Sequence, residues 1–106
     1  MIGLLALASA TAGQFFTGND LYRFCVSTAA SDRAFCNGFV SAVADTERVV
    51  DSYRTPPIQH LCIDNAVIVD QLRDVAIRYL KEYPERRSYS AASILTDAFE
   101  RAFPCK

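Results

Sequence analysis

The sequence predicts a small all-α domain, built from four helices and braced by two disulfides. Apolar residues recur at spacings of three and four in four segments, which turn residues separate. No segment shows the clean alternation of apolar and polar residues that is typical of half-buried strands. The length of 106 residues suits a single domain, because domains usually contain about 100–150 residues.

The first two helices follow each other closely. We expect the first to begin at the N-cap Asn19 and to end near Ser27. The second is expected to begin at Ser31 and to run to about Asp51, with one apolar stripe. Gly38 lies inside the second helix, where glycine costs about 1 kcal/mol relative to alanine. A close approach by another helix would explain its presence there.

The longest irregular segment after the N-terminal region runs from Ser52 to Asp64. Two consecutive prolines, Pro56 and Pro57, exclude a helix and force the preceding residue towards an extended conformation. The segment contains four side chains suited to polar or aromatic contacts: Tyr53, Arg54, Gln59 and His60.

The third and fourth helices form the second half of the domain. The third is expected to begin near Asp64 and to end at Tyr83, which precedes a proline. After a polar turn, Ser88 or Ser90 is the expected N-cap of the fourth helix, which ends before Pro104. The short connections predict antiparallel neighbours within each half.

Four cysteines indicate two structural disulfides. An even number of cysteines in so small a domain is typical of proteins from oxidising compartments. Cys25 lies near the end of the first helix and Cys36 in the first turns of the second, so an antiparallel pair brings them together. Cys62 precedes the third helix and Cys105 follows the fourth, so their hairpin joins these two. The layout therefore predicts Cys25–Cys36 and Cys62–Cys105.

The N-terminal residues resemble part of a secretory signal. Met1–Gly13 carry no charge, and a short apolar run precedes the small-residue pattern Ala8-Ser9-Ala10. The apolar run has only about 7 residues, whereas a membrane-spanning helix needs about 20. We expect residues 1–13 to be a signal remnant whose start lies upstream, residues 14–106 to form the domain, and the protein to be periplasmic. An apolar helical terminus packed on the domain is the alternative.

The charged and nucleophilic residues do not predict catalysis. The net charge of −1 and the absence of a basic block argue against nucleic acid as partner. His60 and Cys62 lack a third orienting group, and Asp70 and Asp74 fit a salt-bridged helix surface. Arg86-Arg87 suits a turn after a helix, with an anion or peptide contact as the alternative. We therefore expect no enzyme, no cofactor, no metal site and no membrane span.

Two motifs carry a resemblance to a known family. They are the run Ala34-Phe35-Cys36-Asn37-Gly38-Phe39-Val40-Ser41 and the closing Ala102-Phe103-Pro104-Cys105. With further agreement between Asn19 and Cys105, the chain resembles the Rap/Tai family of immunity proteins against type VI secretion amidase effectors. It departs from the family pattern at Asp64, where a proline is expected after Cys62-Ile63.

The resemblance implies a helical periplasmic protein that binds a peptidoglycan amidase, blocks its active-site cleft and can act as a homodimer. An inhibitor needs a rigid scaffold and a projecting element. We therefore expect Tyr53, Arg54, Gln59 and His60, on the Ser52–His60 segment, to contact the partner. The alternative is a periplasmic acid-stress or chaperone-like protein of the same build, which would expose apolar surface on acidification.

Overall fold

The computed structural model describes residues 15–55 and 59–106, and these form four α-helices. The helices are α1 (Gly18–Val26), α2 (Ala30–Ser52), α3 (Val69–Glu82) and α4 (Ala91–Ala102), with a 3-10 turn at Pro84–Arg86. The described residues contain no strand, only an isolated bridge between Thr17 and Ser90. The prediction of a small all-α, four-helix domain is confirmed. The signal remnant expected at residues 1–13, and the two consecutive prolines, lie outside the described residues.

The N-cap of α1 is Thr17, so the prediction of Asn19 was wrong. The Thr17 hydroxyl accepts a hydrogen bond from the amide of Asp20 at 3.3 Å. The Asp20 carboxylate accepts one in return from the amide of Thr17 at 3.0 Å. This reciprocal arrangement is a capping box, which satisfies two amides that a helix terminus otherwise leaves unpaired. The Thr-x-x-Asp spacing was present in the sequence, but Asn19 lay nearer the apolar stripe.

The predicted N-cap was wrong for α2 and correct for α4. Ser31 lies inside α2, which begins at Ala30. The prediction of Ser31 as the N-cap was therefore wrong. The Ser27 hydroxyl instead donates to Asp32 at 2.8 Å, which ties the α1–α2 connection to the first turn of α2. The N-cap of α4 is Ser90, one of the two predicted residues.

The third helix begins at Val69, so the predicted start near Asp64 was wrong. The Asp64 carboxylate accepts a hydrogen bond from the amide of Ala66 at 2.9 Å and closes a turn. The helix proper is capped by Gln71, whose side chain accepts from the amide of Ile68 at 2.9 Å. Asp64 therefore initiates a local turn, a common alternative to the helical start that an aspartate suggests.

All four helices contribute to one core. The largest side chains that are less than 2 % exposed are Phe99, Leu21, Leu80, Leu95, Val40 and Cys36. Two disulfides close this core, Cys25–Cys36 between α1 and α2, and Cys62–Cys105 between the chain before α3 and the chain after α4. These are the pairs that the order of the helices predicts. The Cys62 amide also donates to the Phe103 carbonyl at 3.0 Å, which fixes this end of the domain.

The close approach expected at Gly38 occurs at Gly18 instead. A Cβ atom added at Gly38 would meet no atom within 4 Å among the described residues, so this expectation was wrong. A Cβ atom at Gly18 would lie 2.5 Å from Cδ1 of Ile94 and 2.9 Å from Cα of Arg87. The amide of Gly18 donates to the carbonyl of Tyr89 at 2.9 Å, which holds α1 against the turn before α4. Only glycine fits this contact without displacement of backbone atoms.

Candidate functional site

The Ser52–His60 segment leaves the end of α2 and returns beside a buried carboxylate. Asp51, in the last turn of α2, is only 7 % exposed. Its Oδ2 atom accepts a hydrogen bond from the amide of His60 at 2.7 Å and another from the amide of Leu61 at 3.2 Å. The Asp51 side chain therefore ties the returning end of the segment to the last turn of α2, although residues 56–58 are outside the described structure.

Two of the predicted partner-binding side chains meet at Asp51. Nε of Arg54 lies 3.2 Å from Oδ1 of Asp51, and Nδ1 of His60 lies 3.4 Å from the same atom. The hydrogen bond from the His60 amide is the main cause that lowers the pKa of Asp51. Asp51 is therefore ionised at neutral pH and orients Arg54 and His60 as well as the backbone.

In the sequence, the apolar periodicity marks Asp51 only as the expected end of the second helix. A signal was nevertheless present, because a carboxylate in the last turn opposes the partial negative charge of a helix C-terminus. Such a residue requires local donors, and here the returning chain supplies them at His60 and Leu61.

The other two predicted partner-binding side chains lie away from Asp51. Tyr53 is 82 % exposed and follows the last residue of α2. Gln59 is also exposed, with Oε1 at 3.9 Å from the Sγ atom of Cys62. That sulfur is bonded to Cys105 and has no hydrogen to donate, so the approach is a packing contact. The structure thus places Arg54 and His60 together and leaves Tyr53 and Gln59 on separate exposed positions.

An open hollow of about 980 Å³ adjoins this segment. Its walls include Asp51, Gln59, the Cys62–Cys105 disulfide and Arg48. The Arg48 guanidinium donates to the carbonyl of Ile63 at 2.9 Å and so braces the chain that leads towards α3. The hollow has both polar and apolar walls, which suits contact with an irregular protein surface.

The adjacent arginines of the polar turn are internal braces. The Arg86 guanidinium donates to Asp97 at 3.1 Å, and Asp97 also accepts from the hydroxyl of Tyr79. The Arg87 guanidinium donates to the carbonyl of Leu80 at 2.7 Å. Both side chains are therefore engaged within the domain, and an external anion or peptide contact at this turn finds no support.

The remaining candidates for chemistry have structural roles in the described residues. Cys62 is bonded to Cys105 and has no thiol beside His60 that could act as a nucleophile. Asp70 lies 3.3 Å from Nη1 of Arg73, as expected for a salt-bridged helix surface. Residues 15–55 and 59–106 include no group of three or more side chains that could hold a metal ion.

Comparisons with known proteins identify the family. The chain over residues 17–105 matches the family model of Rap1a immunity proteins. No curated protein and no solved structure matches at a significant level. None of the described helices is both long enough and apolar enough to cross a membrane. Because the match spans most of the 106 residues, the chain belongs to the family of Rap1a immunity proteins.

Proposed function

We propose that this protein is a periplasmic immunity protein that binds a peptidoglycan amidase effector of a type VI secretion system and blocks its active-site cleft. Membership of an immunity family supports a protein effector as the partner. The Rap/Tai-like motifs around Cys36 and Cys105 favour an amidase as that effector. The two disulfides favour an oxidising compartment, as the periplasm is.

The observation that carries the proposal is an exposed tyrosine beside a buried anchor. Asp51 ties the returning end of the Ser52–His60 segment to α2, while Tyr53 is 82 % exposed. Tyrosine is a frequent anchor of protein interfaces, because it buries a large area and loses little conformational entropy. Two hydrogen bonds fix the returning end of the segment before binding, which reduces the entropy lost on association. These properties suit an element that enters a cleft.

Glu47 on α2 argues against the acid-stress alternative above about pH 4.5, whereas the lowered pKa values of Asp20, Asp51 and Asp97 reduce stability only at pH values below 3.8. Burial and the nearby charge of Glu100 raise the pKa of Glu47 to about 7. Protonation of Glu47 below about pH 7 therefore favours the folded state. A protein that exposes apolar surface on acidification would need the opposite dependence.

The test combines capture with inhibition. The disulfide-intact protein is used to capture partners from a periplasmic extract, and mass spectrometry identifies what is retained. The retained amidase is then assayed on purified peptidoglycan, with and without the immunity protein. We expect one stoichiometric amidase, inhibition of its activity, and a loss of affinity of about tenfold or more in Tyr53→Ala.

The matched control is Tyr89→Ala, because Tyr89 is 59 % exposed and lies in the turn before α4. Equal effects of the two tyrosine variants would contradict a role for the Ser52–His60 segment. Capture of many unrelated proteins at acid pH would support the chaperone-like alternative. The homodimer that the resemblance implies stays a prediction, which sedimentation velocity of the purified protein tests.

A further inference from the structure

An apolar groove runs between α2 and α4 and shares Asp51 in its wall with the hollow. Its volume is about 410 Å³. Phe39, Val43 and Val50 line it from α2, and Ala92 lies on the α4 side. Val50 is 47 % exposed, so the groove is open to solvent along part of α2. Helix-lined grooves of this kind bind amphipathic helices through apolar residues one turn apart.

The apolar surface continues beyond the groove at its Phe39 end. The Phe39 ring centroid lies 6.0 Å from that of Phe35 and 6.0 Å from that of Phe16. Phe35 in turn lies 4.5 Å from Phe24. Phe16 is itself 36 % exposed. The four rings pack on one another, so the apolar lining of the groove continues into a partly buried aromatic cluster at this end.

Two carboxylates in the groove, Glu47 and Glu100, pair with no cation of residues 15–55 and 59–106. Oε1 of Glu47 is buried and has no hydrogen-bond partner among the described residues. Glu100 faces Glu47 from α4, with Thr96 beside it, and Asp51 adds a further negative charge from α2. The cation in the groove wall, Arg54, lies 3.2 Å from Asp51 and pairs there. Burial and the charge of Glu100 raise the pKa of Glu47 to about 7, and they outweigh the opposing effect of a hydrogen bond to Thr96.

We propose that the α2–α4 groove binds an amphipathic helix of the protein partner, and that an arginine of this helix pairs with Glu47 and Glu100. The apolar residues of the helix pack on Phe39, Val43 and Val50. Arginine fits better than lysine, because its planar guanidinium can donate to two carboxylates at once. The proposal rests on the proposed function only in that the partner is a protein.

The test uses two defined peptides. They are fluorescein-labelled amphipathic helices of leucine, alanine and glutamine that differ at one central residue, arginine or glutamate. Fluorescence anisotropy gives the Kd of each peptide for the full chain at about pH 8, where Glu47 is mainly ionised. We expect the arginine peptide to bind about tenfold more tightly than the glutamate peptide. Amide NMR shifts on binding should be largest at Val43, Glu47 and Thr96.

Variants separate the charge effect from the apolar effect. Glu47→Gln should reduce the preference for arginine to about twofold, while Glu85→Gln, an exposed residue outside the groove, should leave it unchanged. At about pH 5.5, where Glu47 is mainly protonated, the wild-type preference should also shrink. Val43→Asp should weaken both peptides.

Several outcomes would overturn the proposal. These are an equal Kd for the two peptides, no binding of either, or shifts confined to other surfaces. A dimer in sedimentation velocity that Val43→Asp dissociates would assign the groove to a second copy of the chain. In the free protein, nuclear Overhauser contacts from the Val43 and Val50 methyl groups to residues 1–14 or 56–58 would show that the chain itself occupies the groove. The peptide assay needs no effector, so failure of the amidase assignment leaves its result intact.

Discussion

Replacing Glu47 with glutamine should stabilise the protein at about pH 8 and have little effect at about pH 4. The pKa of Glu47 is raised from 4.5 to about 7, mainly by burial and then by the charge of Glu100. Between these two values the folded protein binds more protons than the unfolded chain, so stability falls as the pH rises. Glutamine has nearly the shape of the protonated glutamate side chain. It carries no charge, so the destabilisation by burial and by Glu100 is removed.

The size of the effect follows from the same shift. Each tenfold change in proton affinity corresponds to about 1.4 kcal/mol, which sets an upper limit of about 3 kcal/mol for the observed rise. Glu47 is only partly buried, and solvent screening reduces the contribution. We therefore expect a gain of about 1 kcal/mol above pH 7, or a rise in Tm of about 4–8 °C.

Thermal denaturation followed by circular dichroism measures this difference. Wild type and Glu47→Gln are compared at about pH 4 and about pH 8, with Glu85→Gln as an exposed control. Glu100→Gln should give a smaller gain at the higher pH, because it removes one cause of the shift and leaves the burial. An equal gain in stability at both pH values, or no gain at about pH 8, would refute the conclusion that the folded protein destabilises the ionised form of Glu47.

Further substitutions test the contacts that hold the fold together. Gly18→Ala should destabilise the protein by about 1–3 kcal/mol, because the added methyl group overlaps neighbouring atoms. Gly38→Ala should stabilise it by about 0.5–1 kcal/mol, because the position is open and alanine favours a helix. Urea titration measures both changes in the free energy of unfolding. Asp51→Ala should lower the Tm and speed hydrogen exchange of the two amides that Asp51 accepts from. It should also flatten the loss of stability below pH 3.8, because the folded pKa of Asp51 lies below that value. Replacing Cys62 and Cys105 by serine should lower the free energy of unfolding by about 4 kcal/mol, because the bridge closes a long loop. Removal of Cys25–Cys36, which closes a shorter loop, should lower it by about 3 kcal/mol. Calorimetry measures both losses.

Periodicity predicted the helices because each one buries a stripe of its own residues. The apolar spacing along α2 and α4 is a local property, and both helices have nearly the predicted bounds. The errors arose where two local signals competed. Asn19 and Thr17 both suit an N-cap, and Asp64 can begin either a helix or a turn. Local hydrogen bonds decide both cases, the capping box between Thr17 and Asp20 and the turn from Asp64 to Ala66, and an apolar periodicity does not rank such bonds.

The candidate site was predictable in part for the same reason. Two prolines and a break in periodicity located the Ser52–His60 segment. Its anchor is a contact between Asp51 and amides nine and ten residues later, which depends on how the chain returns. The approach of Glu47 to Glu100 depends on the packing of α2 against α4, and no local pattern reports it. Juxtapositions across the core are therefore the part of the site that only the structure supplies.

Asp51 links the two surfaces proposed for partner contact. Its carboxylate holds the Ser52–His60 segment on one side, while the same residue lies in the wall of the α2–α4 groove. A partner that occupied both surfaces would place an arginine near Glu47 and meet Tyr53 about two helical turns further along α2. The two contacts should then be coupled, because a new cation beside Glu47 would repel Arg54 in the same groove wall and so alter its pairing with Asp51, the anchor of the segment. In a double-mutant cycle, Glu47→Gln and Tyr53→Ala should therefore give non-additive losses of affinity, whereas two independent surfaces would give additive ones.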